Sequence, residues 1–185
     1  MVEVKGSAVV ALPEFVEKKY PHLYESWLNS LSPDSQKILR NKAIVSSWLP
    51  LEHELSEPLR KLCELTSKGK MDAAWESGIF SAEKALTGIY KVFVKFGSPQ
   101  FIISRAGSII QMYYKRIEIS IAETTPKYVT LHITKFEKPD SYVEYRIGGW
   151  MTKALEISGC KNVKTLITKD IAKGDKVTEY VMSWT

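Results

Sequence analysis

The chain has 185 residues, of which 44% are hydrophobic, 11% aromatic and 25% charged, and its 26 basic and 21 acidic side chains leave a formal net charge of +5. A chain of this size buries roughly 70% of its unfolded surface, so one folded domain is expected, and nothing in the composition is poor enough in apolar residues to suggest disorder. The positive excess is too small and too evenly spread to mark a nucleic-acid binder: the densest basic stretch, RKLCELTSKGK (60–70), reads as a solvated helix end with no stacked aromatics beside it.

The opening MVEVKGSAVV has neither a long apolar core nor a small-residue cleavage site, so no secretory leader is expected and the protein reads as cytoplasmic. Within it VKGSAVVAL reads as strand or extended chain. PEFVEKKYPHLYESWLNSL (13–31) reads as helix interrupted near Pro21, and Ser32 offers an N-cap to a helix whose first position is Pro33. From Met71 to Phe96 the apolar residues Trp75, Ile79, Ala82, Leu86, Ile89 and Phe93 recur every three to four positions, which predicts one long helix with a single buried stripe. Gly97 stops it, and Ser98-Pro99 restarts a helix carrying Phe101, Ile102, Ile109 and Ile110, so these two helices should pack together across a short corner.

After Tyr114 the period changes to two. KRIEISIAE (115–123) sets Ile117, Ile119 and Ile121 on one side. KYVTLHITKF (127–136) sets Val129, Leu131 and Ile133 against Thr130, His132 and Thr134, with ETTP as the loop between the two strands. Asp140 caps the helix SYVEYRIGGWMTKALEIS, and Gly159 ends it. KNVKTLITKD (161–170) and GDKVTEYVMSW (174–184) form a final hairpin through the turn IAKGD, placing Thr178, Tyr180, Met182 and Trp184 on one face with Trp184 as a packed anchor. The fold class is therefore α+β: a helical layer over about 1–114, packed on a C-terminal antiparallel sheet over about 115–185 in the order strand-strand-helix-strand-strand. No repeat or linker divides the chain, so residues 1–185 are expected to form a single domain. No stretch approaches the ~18 apolar residues of a membrane span.

Chemistry-bearing residues are sparse. Cys63 and Cys160 lack ligand-like spacing and read as buried thiols. His53 lies among Glu52, Glu54 and Glu57 but has no i+4 metal-ligating partner, so a charged helix face explains it and no metal site is expected. His132 either faces water or, if the polar strand face meets the helices, orients a ligand. There is no Gly-x-Ser-x-Gly elbow, no cysteine–histidine pairing and no phosphate-cradling loop, so the protein is not expected to be an enzyme. The aromatic set Trp75, Tyr90, Tyr113, Tyr114, Tyr142, Tyr145 and Trp150 has two readings: core packing, or the lining of an apolar cavity whose hydroxyl and indole groups orient a ligand. In RIGGW (146–150) two glycines inside a helix cost roughly 1 kcal/mol each, which close approach to the sheet or to a ligand would explain.

Four segments carry a resemblance: WLPLEHE (48–54), TGIYKVFVKFGSPQFIISRAGSIIQMYY (87–114), GGWMTKALEISGCKNVKTLITKD (148–170) and AKGDKVTEYVMSW (172–184). Together they resemble an uncharacterised, paralogue-rich group of bacterial proteins of this length. That group is similar to the superfamily of haem nitric-oxide-binding domains, vinyl-reductase-type ligand-binding domains and vesicle-tethering TRAPP subunits. The resemblance implies a helical subdomain over a curved antiparallel sheet, an apolar pocket between them and a tendency to form homodimers. Where vinyl-reductase-type domains carry two cysteines around the last turn, this chain has Asp170 and Thr178, which argues against thiol-bound metal. The haem-binding relatives need a proximal histidine and a Tyr-x-Ser-x-Arg motif; FIISRAG has Ser104-Arg105 at the wrong spacing and no tyrosine, so haem is not expected. Cys63 is a conceivable analogue of the acylated cysteine of TRAPP relatives, although its local motif does not match.

The functional expectation is a non-catalytic small-molecule-binding sensor with an apolar pocket between helices and sheet, signalling through contact with a protein partner. Its pocket candidates are Trp75, Tyr90, Tyr113, Tyr145 and Trp150, with His132 as a polar contact. The alternative is an interaction or dimerisation scaffold of the same fold whose interior is filled by its own side chains. Arg105 and Arg116 stand apart, without the tandem pattern a cyclic dinucleotide would need.

Overall fold

The computed structural model describes residues 1–41, 44–87 and 98–185. Strand β1 (Glu3–Lys5) turns at once into helices α1 (Gly6–Val9) and α2 (Ala11–Lys19). The extended conformation expected for VKGSAVVAL is thus confined to its first residues. Helix prevails because Ala8, Val9, Leu12, Phe15 and Val16 bury one face at helical spacing. Gly6 permits the crossing, since a Cβ there would stand 2.1 Å from the carbonyl oxygen of Ile44.

The break at Pro21 is present, as a 3-10 turn over Pro21–Leu23 leading into α3 (Tyr24–Asn29). Helix α4 (Pro33–Arg40) begins behind Ser32 as expected, but the serine hydroxyl makes no capping bond. It donates to Glu57 Oε2 at 2.7 Å instead. Strand β2 (Trp48–Pro50), a π-helical turn over Glu52–Ser56, α5 (Glu57–Ser67) and α6 (Asp72–Thr87) follow. The rest of the expected central helix, its Gly97 stop and the corner lie outside the described residues. Ser98 does cap the next helix, accepting from the Phe101 amide at 3.3 Å, but that helix is two: α7 (Pro99–Ser104) and α8 (Ala106–Tyr113), separated at Arg105.

Helix α8 runs directly into β3 (Tyr114–Lys115), which pairs with β1. The resulting three-stranded sheet, ordered β2-β1-β3, was not expected from the sequence. The main sheet comprises β4 (Ile117–Thr125), β5 (Tyr128–Phe136), β6 (Lys164–Lys169) and β7 (Thr178–Ser183), antiparallel throughout in the order β4-β5-β7-β6. Between β5 and β6 the chain forms α9 (Ser141–Ile157), capped by Asp140, whose carboxylate accepts from the amides of Tyr142 and Val143; Gly159, at φ 104°, ends it. The strand-strand-helix-strand-strand order and the α+β class are those expected.

Strand β7 is central rather than an edge, hydrogen-bonded to β5 on one side and β6 on the other. Its inner face carries Thr178, Tyr180 and Met182, opposite Ile133, Leu131 and Val129 of β5, and Trp184 is buried beyond its end. On edge strand β4 the expected alternation fails. Register shifts at Glu118/Ile119 and Ile121/Glu123 twist the strand, so Ile117 is buried while Ile121 is exposed. Among the described residues no helix is long and apolar enough to cross a membrane.

Candidate functional site

Helix α9 is the spine of the interior, with α6 on one side and the main sheet on another. Its contact with α6 is made backbone to backbone. A Cβ on Gly149 would stand 2.1 Å from the Trp75 carbonyl oxygen, and one on Gly78 would stand 2.0 Å from that of Arg146. A Cβ on Gly148 would meet the Trp75 ring at 2.6 Å and the Tyr180 ring at 3.2 Å. The glycines of RIGGW therefore serve close approach, chiefly to α6.

That approach brings Arg146 into the interior, where it is 2% exposed. Its Nη1 donates to Ser77 Oγ at 2.7 Å and its Nη2 to the Ala8 carbonyl at 2.9 Å, and its guanidinium is hydrogen-bonded with the Tyr114 hydroxyl. Burial lowers the arginine's proton affinity, and the same burial raises that of Tyr114, which the neighbouring guanidinium partly offsets. The sequence signal was present: Arg146 interrupts the apolar series Val143, Ile147, Trp150 at helical spacing.

Three adjoining apolar cavities surround Trp150. The largest, about 140 Å³, lies between α7–α8 and α9, with Leu86, Phe101, Ile102, Ile109, Tyr113 and Trp150 in its walls. A second of about 30 Å³ reaches the inner sheet face at Val129, Leu131 and Met182. A third of about 20 Å³ ends on Tyr114 and Arg146. Ile109 and Trp150 border all three. Two larger hollows, of about 250 and 380 Å³, have charged walls (Glu52, Lys138 and Asp140 in one; Glu14, Arg40 and Lys84 in the other), and Lys84 is ion-paired with Glu14.

Of the sequence candidates, the structure brings Trp150 and Tyr113 together at the cavities, their ring centroids 5.9 Å apart. Trp75 and Tyr145 form a separate edge-to-face pair at 6.5 Å, and neither borders these cavities. His132 lies on the opposite face of the sheet from the buried Leu131 and Ile133, its Nε2 2.7 Å from Glu179 Oε2. Tyr90 lies outside the described residues.

A second polar centre escaped the sequence reading. Glu144 on α9 is fully buried; the Thr178 hydroxyl donates to its carboxylate and Tyr180 OH to its backbone carbonyl at 2.8 Å. Burial pushes the Glu144 carboxyl up to about 8, with the Thr178 hydrogen bond working against it and nearby Asp170 adding to it. Asp170 accepts from Ser141 Oγ at 2.8 Å and pairs with Lys173 at 2.9 Å. Among the described residues no group of three or more histidine, cysteine or acidic side chains is arranged to hold a metal ion.

No protein-family model and no curated protein matches the sequence. Solved structures do match. An H-NOX protein from S. oneidensis in the Fe(II)NO ligation state superposes with a TM-score of 0.74 over 98% of this chain and 99% of that one, at 13% identity. An Fe(II) unliganded H-NOX protein from K. algicida gives 0.73 over 98% and 96%, at 12% identity. The fold is that of H-NOX proteins.

One similar structure, 10% identical over 98% of this chain, concerns haem distortion in the H-NOX family, which raises what haem iron would require here. Protein haems are held through histidine, thiolate, methionine paired with histidine, or tyrosinate. None of the three histidines or two cysteines borders the Trp150 cavities: His22 is exposed, His53 borders a surface hollow, and His132 is behind the sheet. Of the tyrosines among the described residues, Tyr113 and Tyr114 border the cavities, and burial raises the proton affinity of Tyr114. The largest of these cavities, at about 140 Å³, is also well below the roughly 300–1,000 Å³ typical of ligand pockets. Among the described residues, the walls of these cavities offer haem iron neither a histidine nor a thiolate, and the space is small for haem.

Proposed function

We propose that the chain is a non-catalytic small-molecule sensor domain whose ligand is not haem and occupies the apolar space around Trp150. The observation that carries this reading is the convergence of three apolar cavities on Ile109 and Trp150, between α7–α8, α9 and the inner sheet face. Likeness in fold to proteins that bind NO and CO at iron supports a ligand-binding role. Among the described residues, the cavity walls carry the hydroxyls of Ser81, Ser108 and Tyr114 and no histidine or carboxylate, which supports binding rather than catalysis. A ligand seated there would press on α7–α8. Because α8 continues into β3 without a linker, the displacement would reach the small sheet, where a protein partner or a second copy would read it.

The modest cavity sizes favour one other reading, a scaffold of the same fold with a self-filled interior. Native mass spectrometry of the purified chain, paired with denaturing spectra of the same sample, separates the two. A bound mass of roughly 100–300 Da lost on denaturation is expected. A ligand-free dimer that gains no thermal stability from any apolar compound in a screen would support the scaffold instead.

A further inference from the structure

We propose that the ligand of the Trp150 cavities is a small carboxylic acid, its carboxylate meeting Arg146 and Tyr114 and its aromatic or short acyl body lying between Trp150 and α7–α8. The inference rests on the reading of these cavities as the ligand site and specifies the ligand's chemistry.

The starting point is a charge without a counter-charge. Arg146 is buried, yet its bonded neighbours are a serine hydroxyl, a backbone carbonyl and a tyrosine hydroxyl. All acidic residues of the chain lie among the described residues, and none forms an ion pair with it. Its more exposed counterparts are paired: Arg116 with Glu137, Lys153 with Glu83 and Glu156, Lys173 with Asp170. A guanidinium removed from water costs several kcal/mol unless an anion compensates it, and neutral acceptors do so only in part. Arg146 also ties α9 to α6 through Ser77 and to α1 through the Ala8 carbonyl.

Three observations favour an anion. Arg146 is one of the residues lining a cavity of about 20 Å³, which exceeds the ~10–15 Å³ needed for one water-sized group. A cavity of that size takes one small polar group against Arg146 and leaves no room for a phosphoryl group. The adjoining cavity of about 140 Å³ is close to the ~150 Å³ of an apolar cavity that takes up benzene, which sets the size of the body. Among the described residues, the charged side chains lining the three cavities are Arg146 at the inner end and Arg105 at the outer, and no carboxylate borders any of them. Cations at both ends of an apolar space are complementary to an apolar anion. Arginine and a tyrosine hydroxyl together supply the donors that a carboxylate accepts from.

The test is isothermal titration of the full chain at pH 7 with two matched pairs, benzoate against benzyl alcohol and octanoate against octan-1-ol. In each pair the acid should bind at least about tenfold more tightly than the alcohol, as expected for hydrogen bonds to a charged group. Arg146→Met, verified as folded by circular dichroism, should abolish that preference, and Arg146→Lys should retain part of it. If Arg146→Met does not fold, nuclear Overhauser contacts from the bound acid to the Trp150 indole in the unaltered chain locate the ligand, and their absence overturns the proposal. Equal binding of acid and alcohol overturns it while leaving the apolar pocket standing. Binding of neither overturns it as well, and the native mass spectrum then decides the pocket alone. An acid preference that survives in folded Arg146→Met places recognition elsewhere and overturns it too.

Discussion

Two carboxyls are held in this interior against their preference for water. Burial pushes Glu144 up to about 8 and Glu54 up to about 7. Among the described residues neither Glu54 oxygen has a hydrogen-bond partner, and the Glu144 carboxyl shares its surroundings with Asp170. In the unfolded chain both titrate near 4.3. Between that pH and about 8 the folded state keeps protons that the unfolded state has released, so stability must fall as pH rises through the window. Carboxylates shifted the other way do not cancel the effect. Glu57 and Asp170 are stabilised as anions by hydroxyl and lysine donors, and Glu179 is held down to about 2 by Thr168, Lys169 and His132. Their contribution is already complete above their unfolded values and is lost only as pH falls below about 4. Urea midpoints measured at pH 5 and pH 8 should therefore be lower at pH 8. Glu144→Gln should flatten that slope and be more stable than the unaltered chain at pH 8 but not at pH 5. A midpoint independent of pH would show that these carboxyls are not buried in solution.

At the scale of elements, the contact between α6 and α9 positions everything else, and it depends on glycine. Gly149→Ala would gain about 1 kcal/mol of helix propensity. Its methyl would also be driven against the Trp75 backbone, which has no rotamer to yield. Overpacking of this kind costs about 1–3 kcal/mol, and here the helices must separate, so a net loss in that range is expected from urea unfolding. The elements that were legible in the sequence are those whose signals are local. The alternation of Thr178, Tyr180, Met182 and Trp184, the Asp140 cap and the Gly159 stop all depend on spacing within one segment. The small sheet was hidden because Glu3–Lys5, Trp48–Pro50 and Tyr114–Lys115 are too short to show any period. For the candidate site the limit was which side of a helix faces what. Trp75 has the same kind of helical spacing as Trp150, but α6 meets α9 through small residues such as Gly78 and Ser77, which direct Trp75 away from the cavities. Arg146 was readable as a charge within an apolar stripe; what spacing does not reveal is that no carboxylate comes to meet it.

For the whole molecule, the question is whether the space around Trp150 is used or merely left over. A packed interior gains from filling any void, roughly 0.8 kcal/mol per buried methylene where the fit is unstrained. A cavity retained for a ligand has the same energetics but a different consequence when filled. Ala154 is buried and borders both the cavity of about 140 Å³ and that of about 30 Å³. Ala154→Leu projects three further carbons into that space, beside Ala82 and Leu86 of α6 and away from Arg146. The melting temperature should hold or rise, because apolar atoms replace a void. The bound mass seen in native spectra should disappear, because the body of the ligand and the new side chain compete for one volume. A stabilised variant that keeps its bound mass would place the ligand elsewhere on the fold. In a scaffold the same substitution would raise stability and alter nothing else. The two readings part on ligand occupancy, with stability as the internal control that the leucine entered the cavity. Because α8 leads straight into β3, a filled cavity should also fix the position of the small sheet. The Ala154→Leu chain should then show the amide chemical shifts of the ligand-bound state at Glu3–Lys5 and Tyr114–Lys115 with no ligand present.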